Sequence, residues 1–523
     1  MAVGCFSPDR TRSFADVGLA GLGLLAFGAM LAACGDNKVP LTDAGLPADA
    51  APRFDADPSE MQVLSTIPGA NALHVGTASQ IAIQFDRPVD RTSITEASLW
   101  AFGQWSGSHR GTYEFSEGDS KVTLSGARPL IPGEQVTVIV ANSLISADGA
   151  GAMRPGGYSF QFRVGSTASS MNFVEIARLD SRNANQDVGQ SYGGLATDLN
   201  QDGYPDITIV NETSEDLVVF MNDGDGTASV TRSDSDYLVG IRPSPSEPGD
   251  FDGDGRTDIA VANIGSGISV LLGQEGGTFA PEREYTVGAG PRGITVLDAD
   301  GDGDLDIANS NFRNGGTVSI LMNKGDGTFE APIIFDGGCN GEWGIAAADM
   351  NLDGMLDIVV GCHDDGVVSV LTANGDGTFA LRSSKSGPTG LWMIVTGDLN
   401  GNGSADVTVA GGLSDNGAIY LGSPDGELGD ATYYGTDPST SATDIGDLDG
   451  DGDLDWITSS FGGDNSDWYI WLNDGQGTFT KMGEIDSPRD ASCALLVDLD
   501  LDGDLDLGLI DEGADVLIIM RND

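Results

Sequence analysis

The stretch Asp298-Ala-Asp-Gly-Asp-Gly-Asp-Leu-Asp306, followed at once by Ile307, decides how the chain is read. Carboxylates stand at its first, third, fifth and ninth positions, and Gly303 stands at the sixth. Oxygen-only donors on a tight turn suit a hard cation of calcium's size, which takes six to eight oxygens at roughly 2.3–2.6 Å. The glycine lets the chain reverse around an ion, because glycine alone turns left-handed without steric cost. An apolar run rich in β-formers follows the ninth position, so the loop belongs to a β-hairpin.

The same spacing recurs along the chain. It appears as Asp198, Asn200, Asp202 and Asp206 around Gly203, then as Asp250, Asp252, Asp254 and Asp258 around Gly255. After Asp298, Asp300, Asp302 and Asp306 come Asp349, Asn351, Asp353 and Asp357, then Asp398, Asn400, Asn402 and Asp406. The last two sets are Asp447, Asp449, Asp451 and Asp455, and Asp498, Asp500, Asp502 and Asp506. Leading residues are 52, 48, 51, 49, 49 and 51 apart, which makes seven copies. A period of this size means stacked supersecondary units, none of which can bury its faces alone.

Each unit holds four strand-like pieces. In the third, Gly293–Leu297 leads into the loop and Asp306–Asn309 leads out. Thr317–Met322 is a third strand, and after Asn323–Phe329 a fourth runs over Glu330–Phe335. The Gly-Asp-Gly-Thr-Phe piece before the fourth strand, repeated at Gly375–Phe379, reads as a hairpin turn or a second metal site. Four-stranded units repeated radially make a β-propeller. The last unit stops after its third strand, Val516–Met520, while a surplus strand, Asn172–Arg178, precedes the first unit. That strand is expected to complete the last blade and close the ring.

These units resemble the FG-GAP repeats, also called VCBS repeats, of integrin α-subunit propellers and bacterial surface proteins. The resemblance implies up to seven structural Ca²⁺, held by loop positions one, three, five and nine, with a backbone carbonyl at seven, Asp304 for example. Asn400 and Asn402 leave the fifth loop two carboxylates, which makes it the weakest site. Pro243, Pro245 and Pro248 crowd the first strand of the second unit, where a distorted blade is expected.

Upstream lies different material. Residues 61–165 carry alternating apolar runs, such as Ile81, Ile83 and Phe85, or Val136, Val138 and Val140, or Tyr158, Phe160 and Phe162. Period two between turn signals gives antiparallel strands with one buried face, and about a hundred such residues make a β-sandwich. Ser65–Ala70, Ile83–Asp90, Pro129–Val138, Ala147–Gly151 and Tyr158–Phe162 are similar to the S-layer type of bacterial Ig-like domain, which implies a spacer. Asp148 reads as a turn residue, and His74 and His109 as surface histidines.

Residues 1–33 read as a signal peptide, with an apolar Val17–Ala33 after Arg10 and Arg12. Leu31-Ala32-Ala33-Cys34 resembles a lipobox, which implies a lipid anchor on Cys34; an ordinary cleaved signal is the other reading. Residues 34–60, rich in Asp, Ala and Pro, form a disordered tether. The fold class is therefore all-β: a seven-bladed β-propeller, residues 171–523, preceded by a small Ig-like sandwich.

The chain has 523 residues and a formal charge of −55, which repels phosphate backbones and excludes nucleic acid as a main partner. Cys339 and Cys362 fall in one unit, where a disulfide is one of two open outcomes, and Cys493 is left free. His363 reads as a plain loop residue, with no nucleophile or orienting partner.

Antiparallel order places all seven acidic loops on one rim of the propeller. Six residues before four of the leading aspartates, near the other rim, stand Tyr192, Arg292, Trp343 and Trp392. They read either as a ligand-binding face or as packing between blades. The expected function is a non-enzymatic, calcium-stabilised binding or adhesion protein. It would be lipid-anchored at the bacterial outer membrane and would recognise a glycan or a protein. A polysaccharide lyase or hydrolase and a passive scaffold are the alternatives, since fold alone does not choose.

Overall fold

In the computed structural model the described residues are 59–182, 188–462 and 466–522, all within one compact unit. The signal segment, Cys34 and all but the end of the tether lie outside them. Among the described residues no helix is long and apolar enough to cross a membrane.

The Ig-like part is a sandwich of two four-stranded sheets. One holds Val63–Ile67, Ile81–Phe85, Lys121–Gly126 and Gly111–Ser116 in that spatial order. The other holds Gly107–His109, Leu99–Gly103, Gln135–Val140 and Tyr158–Arg163. Alternate residues meet between them, with Ile83, Phe85, Val122, Val136, Val138, Phe160 and Phe162 in the core. Asp148 does hold a turn, accepting from Ser146 Oγ at 2.7 Å and Ala150 N at 3.0 Å. His109 is not at the surface: it is 3% exposed, with Nε2 2.6 Å from Ser106 Oγ.

Among the described residues seven further four-stranded antiparallel sheets make the propeller. Their innermost strands are Ser191–Thr197, Pro243–Gly249, Pro291–Leu297, Glu342–Ala348, Leu391–Gly397, Thr440–Gly446 and Ala491–Val497. Each touches the next, and the seventh touches the first, so the ring is closed. The second strand of every sheet is buried along its whole length, because neighbouring sheets cover both of its faces. The surplus strand, Phe173–Asp180, pairs antiparallel with Val516–Asn522 and supplies the fourth strand of the last sheet.

The prolines of the second sheet leave no special distortion in its first strand. The register shift between Pro243 and Ser246 has counterparts in the innermost strands of the other six sheets. Pro243 and Pro245 therefore occupy a stretch where the ladder is already interrupted, while Pro248 stands in register opposite Ile259 on the innermost, edge strand. The Gly-Asp-Gly-Thr pieces are turns: Asp326 Oδ1 accepts from Thr328 N at 3.0 Å and Thr328 Oγ1 at 2.5 Å.

The Ig-like domain is no detached spacer. Strand Leu99–Gly103 is buried on both faces. Leu99 and Ala101 face the sandwich core, while Trp100 and Phe102 pack with Phe251, Leu305 and Phe329 of the propeller. Trp105 and Ile131 join a second cluster with the first, sixth and seventh sheets.

Candidate functional site: the acidic loops and the central channel

Each loop is built by its own backbone. All seven sixth-position glycines have φ between +76° and +110°, the left-handed region. Their N–H groups point inward and donate to the leading aspartate, as from Gly203 to Asp198 at 3.0 Å and from Gly503 to Asp498 at 3.0 Å. The fifth residue donates to the third, and the seventh to the fifth, as in Asp302 N to Asp300 Oδ1 at 3.2 Å and Asp304 N to Asp302 Oδ1 at 2.9 Å. These bonds gather carboxylates that would otherwise repel one another.

Four loops bring three carboxylates within 4.8 Å of one another. In the second and third these are positions one, three and five: Asp250, Asp252 and Asp254, and Asp298, Asp300 and Asp302. In the sixth and seventh they are positions one, three and nine: Asp447, Asp449 and Asp455, and Asp498, Asp500 and Asp506. The other three loops carry asparagine at position three, and the fifth loop carries it at position five as well. One oxygen of each of Asp250, Asp447 and Asp498 is buried without a hydrogen-bond partner. Convergent oxygens, some unpartnered and buried, fit a hard divalent cation, since unpaired buried charge is costly.

The ninth position has a second task that spacing alone does not reveal. Asp306 Oδ2 accepts from Ala299 N at 2.9 Å, and Oδ1 accepts from Asn323 N at 2.7 Å, which ties the loop to the end of the third strand. The same pair of bonds recurs, for example, at Asp206 and Asp506. Burial pushes Asp206, Asp258, Asp357 and Asp455 up to about 8, although backbone donors pull the other way.

All seven loops lie against the Ig-like domain or the segment that follows it. Arg128 pairs with Asp198 at 2.7 Å, and Arg110 with Asp250 at 2.8 Å. Trp100 Nε1 donates to Gly303 O at 3.0 Å, Ser159 N to Gly354 O at 2.7 Å, and Asn71 Nδ2 to Gly403 O at 3.0 Å. Ser166 Oγ donates to Asp447 O at 2.7 Å, and Thr167 N to Gly503 O at 2.7 Å. The two arginines lie 70 and 140 residues from their partners, with no periodic signal to find them.

This docking floors the central channel. A cavity of about 490 Å³ runs from Gln135, Gln161 and Arg163 of the Ig-like sheet to Tyr192, Arg292, Trp343 and Trp392 at the far rim. The four rim residues come from the first, third, fourth and fifth sheets, and the structure brings them together. The Arg292 guanidinium lies 4.0 Å from the Trp343 ring centre, and Trp343 stacks on Trp392 at 5.8 Å. Burial pushes the Tyr192 hydroxyl up and the Arg292 guanidinium down, and the two interact directly.

The indole faces are partly turned to protein. Phe312 and His363, which sequence reading left out of the site, pack on Trp343 at 4.8 and 4.9 Å. A Cβ on Gly412 would meet the Trp392 ring at 2.8 Å, so the Gly412 backbone covers one side of that indole. Packing between blades thus accounts for part of this cluster. Arg292 Nε and Trp392 Nε1 are buried, and among the described residues neither has a hydrogen-bond partner. His363 Nδ1 lies 2.9 Å from Asp364, and the neighbouring Cys362 is joined to Cys339 by a disulfide. Cys493 is free and buried.

The sequence matches an FG-GAP-like repeat family over 250–309, 310–360, 349–409 and 447–509, stretches that contain six of the seven loops. It matches a bacterial Ig-like domain family over 57–164. No curated protein matches the chain. Similar solved structures include an Agrocybe aegerita lectin described as recognising non-reducing terminal N-acetylglucosamine: 19% identity, 76% of this chain, 93% of that one, TM-score 0.38. Another is a proposed 6-phosphogluconolactonase from Bacteroides uniformis, with 16% identity, 60% and 90% coverage, and TM-score 0.48. A third is BBS1N in complex with ARL6DN, with 14% identity, 67% and 97% coverage, and TM-score 0.44. At such identities and scores nothing about ligand or activity follows from them. By sequence and fold together, the chain is a bacterial Ig-like domain joined to a β-propeller of FG-GAP-like repeats.

Proposed function

We propose that this protein is a calcium-stabilised, non-enzymatic binding protein, held at the bacterial outer membrane through Cys34, whose ligand enters the channel from the rim opposite the acidic loops. One observation carries the reading. The Ig-like domain covers the loop rim, so the cavity is left with the Tyr192, Arg292, Trp343 and Trp392 end for access. A cavity of about 490 Å³ is also the size of a small-molecule site.

Calcium's part is structural. The ion would be held by the side-chain oxygens of positions one, three and five, with position nine in reach in the sixth and seventh loops. It supplies positive charge where the fold gathers carboxylates, and affinities of the extracellular kind, roughly 10⁻⁴–10⁻³ M, suffice for that. The residues around the ion act as scaffold, and the channel binds. A glycan array probed with the calcium-loaded chain tests the reading, alongside Trp392→Ala and Arg292→Gln. Binding lost in both variants supports it; silence of the parent chain on glycans and on bacterial surface proteins overturns it.

A further inference from the structure

Three residues before each leading aspartate, the seven innermost strands put one residue each on the cavity wall. Their pairing shows that they stand at one height. Glu247 faces Ala260, Thr295 faces Ala308 and Asp444 faces Ile457, each two residues beyond a ninth-position aspartate. Five sheets place Leu195, Thr295, Ala346, Val395 and Leu495 there, and only the second and sixth place acids.

The two acids differ in their surroundings. Asp444 accepts from Ile445 N at 2.9 Å and Leu496 N at 3.3 Å, and the buried Arg163 of the Ig-like sheet offsets its charge. Among the described residues no donor reaches the Glu247 carboxyl, and the charge that acts on it is the like charge of Asp444. The chamber thus has spare acceptor capacity in its depth. A carboxyl held away from bulk water without a donor is unfavourable, and a ligand that donates to it removes the penalty.

We propose that the channel receives a small aliphatic amine, with its ammonium at Glu247. The proposal rests on the reading of the channel as a ligand site and adds the chemical class. Burial and Asp444 push the Glu247 carboxyl up to about 8, so binding an ammonium there displaces a proton. The charged groups facing it are Asp444 across the channel with Arg163 behind, and Arg292, Glu212 and Glu512 toward the rim.

Titration calorimetry on the calcium-loaded full chain, with 4-aminobutan-1-ol against butane-1,4-diol, tests this. The two probes differ in one ammonium. The amine is expected to bind at least about tenfold more tightly. Its affinity should rise from pH 6 toward about 8, with a heat that depends on the buffer because a proton is released. Glu247→Gln, which keeps size and polarity, should erase the preference without lowering the melting temperature. Equal affinity for the two probes, a preference that survives Glu247→Gln, or no binding of either at millimolar concentration overturns the proposal. If glycan binding still depends on Trp392 while the amine preference is missing, this inference falls and the function proposed above stands. An amine preference in a chain silent on both glycans and bacterial surface proteins does the reverse.

Discussion

At the scale of single residues, the loops separate two costs that a sequence pattern merges. Gly203 and Gly303 occupy the same loop position with φ of +94° and +100°. A Cβ on Gly203 would meet nothing within 4 Å, whereas one on Gly303 would meet Ala97 O at 2.4 Å. Gly203→Ala should therefore cost the left-handed penalty alone, about 1–2 kcal/mol. Gly303→Ala should cost that plus the displacement of the Ig-like domain, about 1–3 kcal/mol more. Urea melts of the two variants check the difference, and equal losses would mean that the domain does not press on that loop. Arg128 is a related case, because its guanidinium serves a carboxylate that also faces a loop interior. Removing it leaves the Asp198 side chain, 0% exposed, without its counter-charge. Arg128→Ala is expected to destabilise by about 1–3 kcal/mol in chelator and by less with calcium present.

At the scale of elements, the ring is fastened by a strand borrowed from the other end of the repeat region. Phe173–Asp180 runs alongside Val516–Asn522 from Phe173 opposite Asn522 to Asp180 opposite Val516. Without it the seventh sheet would end on an open edge, a template for pairing with other chains. Deleting 172–180 should lower the melting temperature and produce oligomers on size exclusion. A circular permutant that carries the segment after Asn522 should restore a monomer. The repeat count and the mismatched ends predict this closure from sequence, because each strand's partner is set by its place in a fixed order. The innermost strand of the second sheet teaches the opposite lesson. Its three prolines suggest a damaged blade, yet the register shift at Pro243 and Pro245 is common to the seven innermost strands, and Pro248 keeps its place opposite Ile259. Proline scarcity elsewhere hid a regular irregularity.

At the scale of the whole molecule, the acidic rim is an internal interface. Loops, linker and sandwich hold one another, so chelation should lower a single cooperative transition that includes the Ig-like domain. Two separate transitions, with the sandwich unmoved by chelator, would contradict that coupling. The pH dependence of the metal-free chain has a definite sign. Asp206, Asp258, Asp357 and Asp455 are pushed by burial from the ordinary carboxylate value of 3.8 to about 8. Between those limits the folded chain keeps protons that the unfolded chain has lost. Stability is therefore greatest below the ordinary value and falls as pH rises toward 8. In chelator the melting temperature should drop from pH 5 to pH 8, while with calcium, which favours the ionised loops, it should not.

The amino-acid sequence by itself determined the loops, the strands, the ring and its closure. Those features rest on local spacing repeated at a constant interval, and local sterics fix the turn that each glycine makes. The tertiary structure decided the rest. It laid a presumed spacer across the acidic rim, gave Asp198 and Asp250 their arginines, and turned indole faces toward neighbouring blades. It also set Glu247 in a chamber without a partner. These are meetings between residues tens to hundreds of positions apart, where no periodicity links the partners. Only the packed chain brings them within a few ångströms.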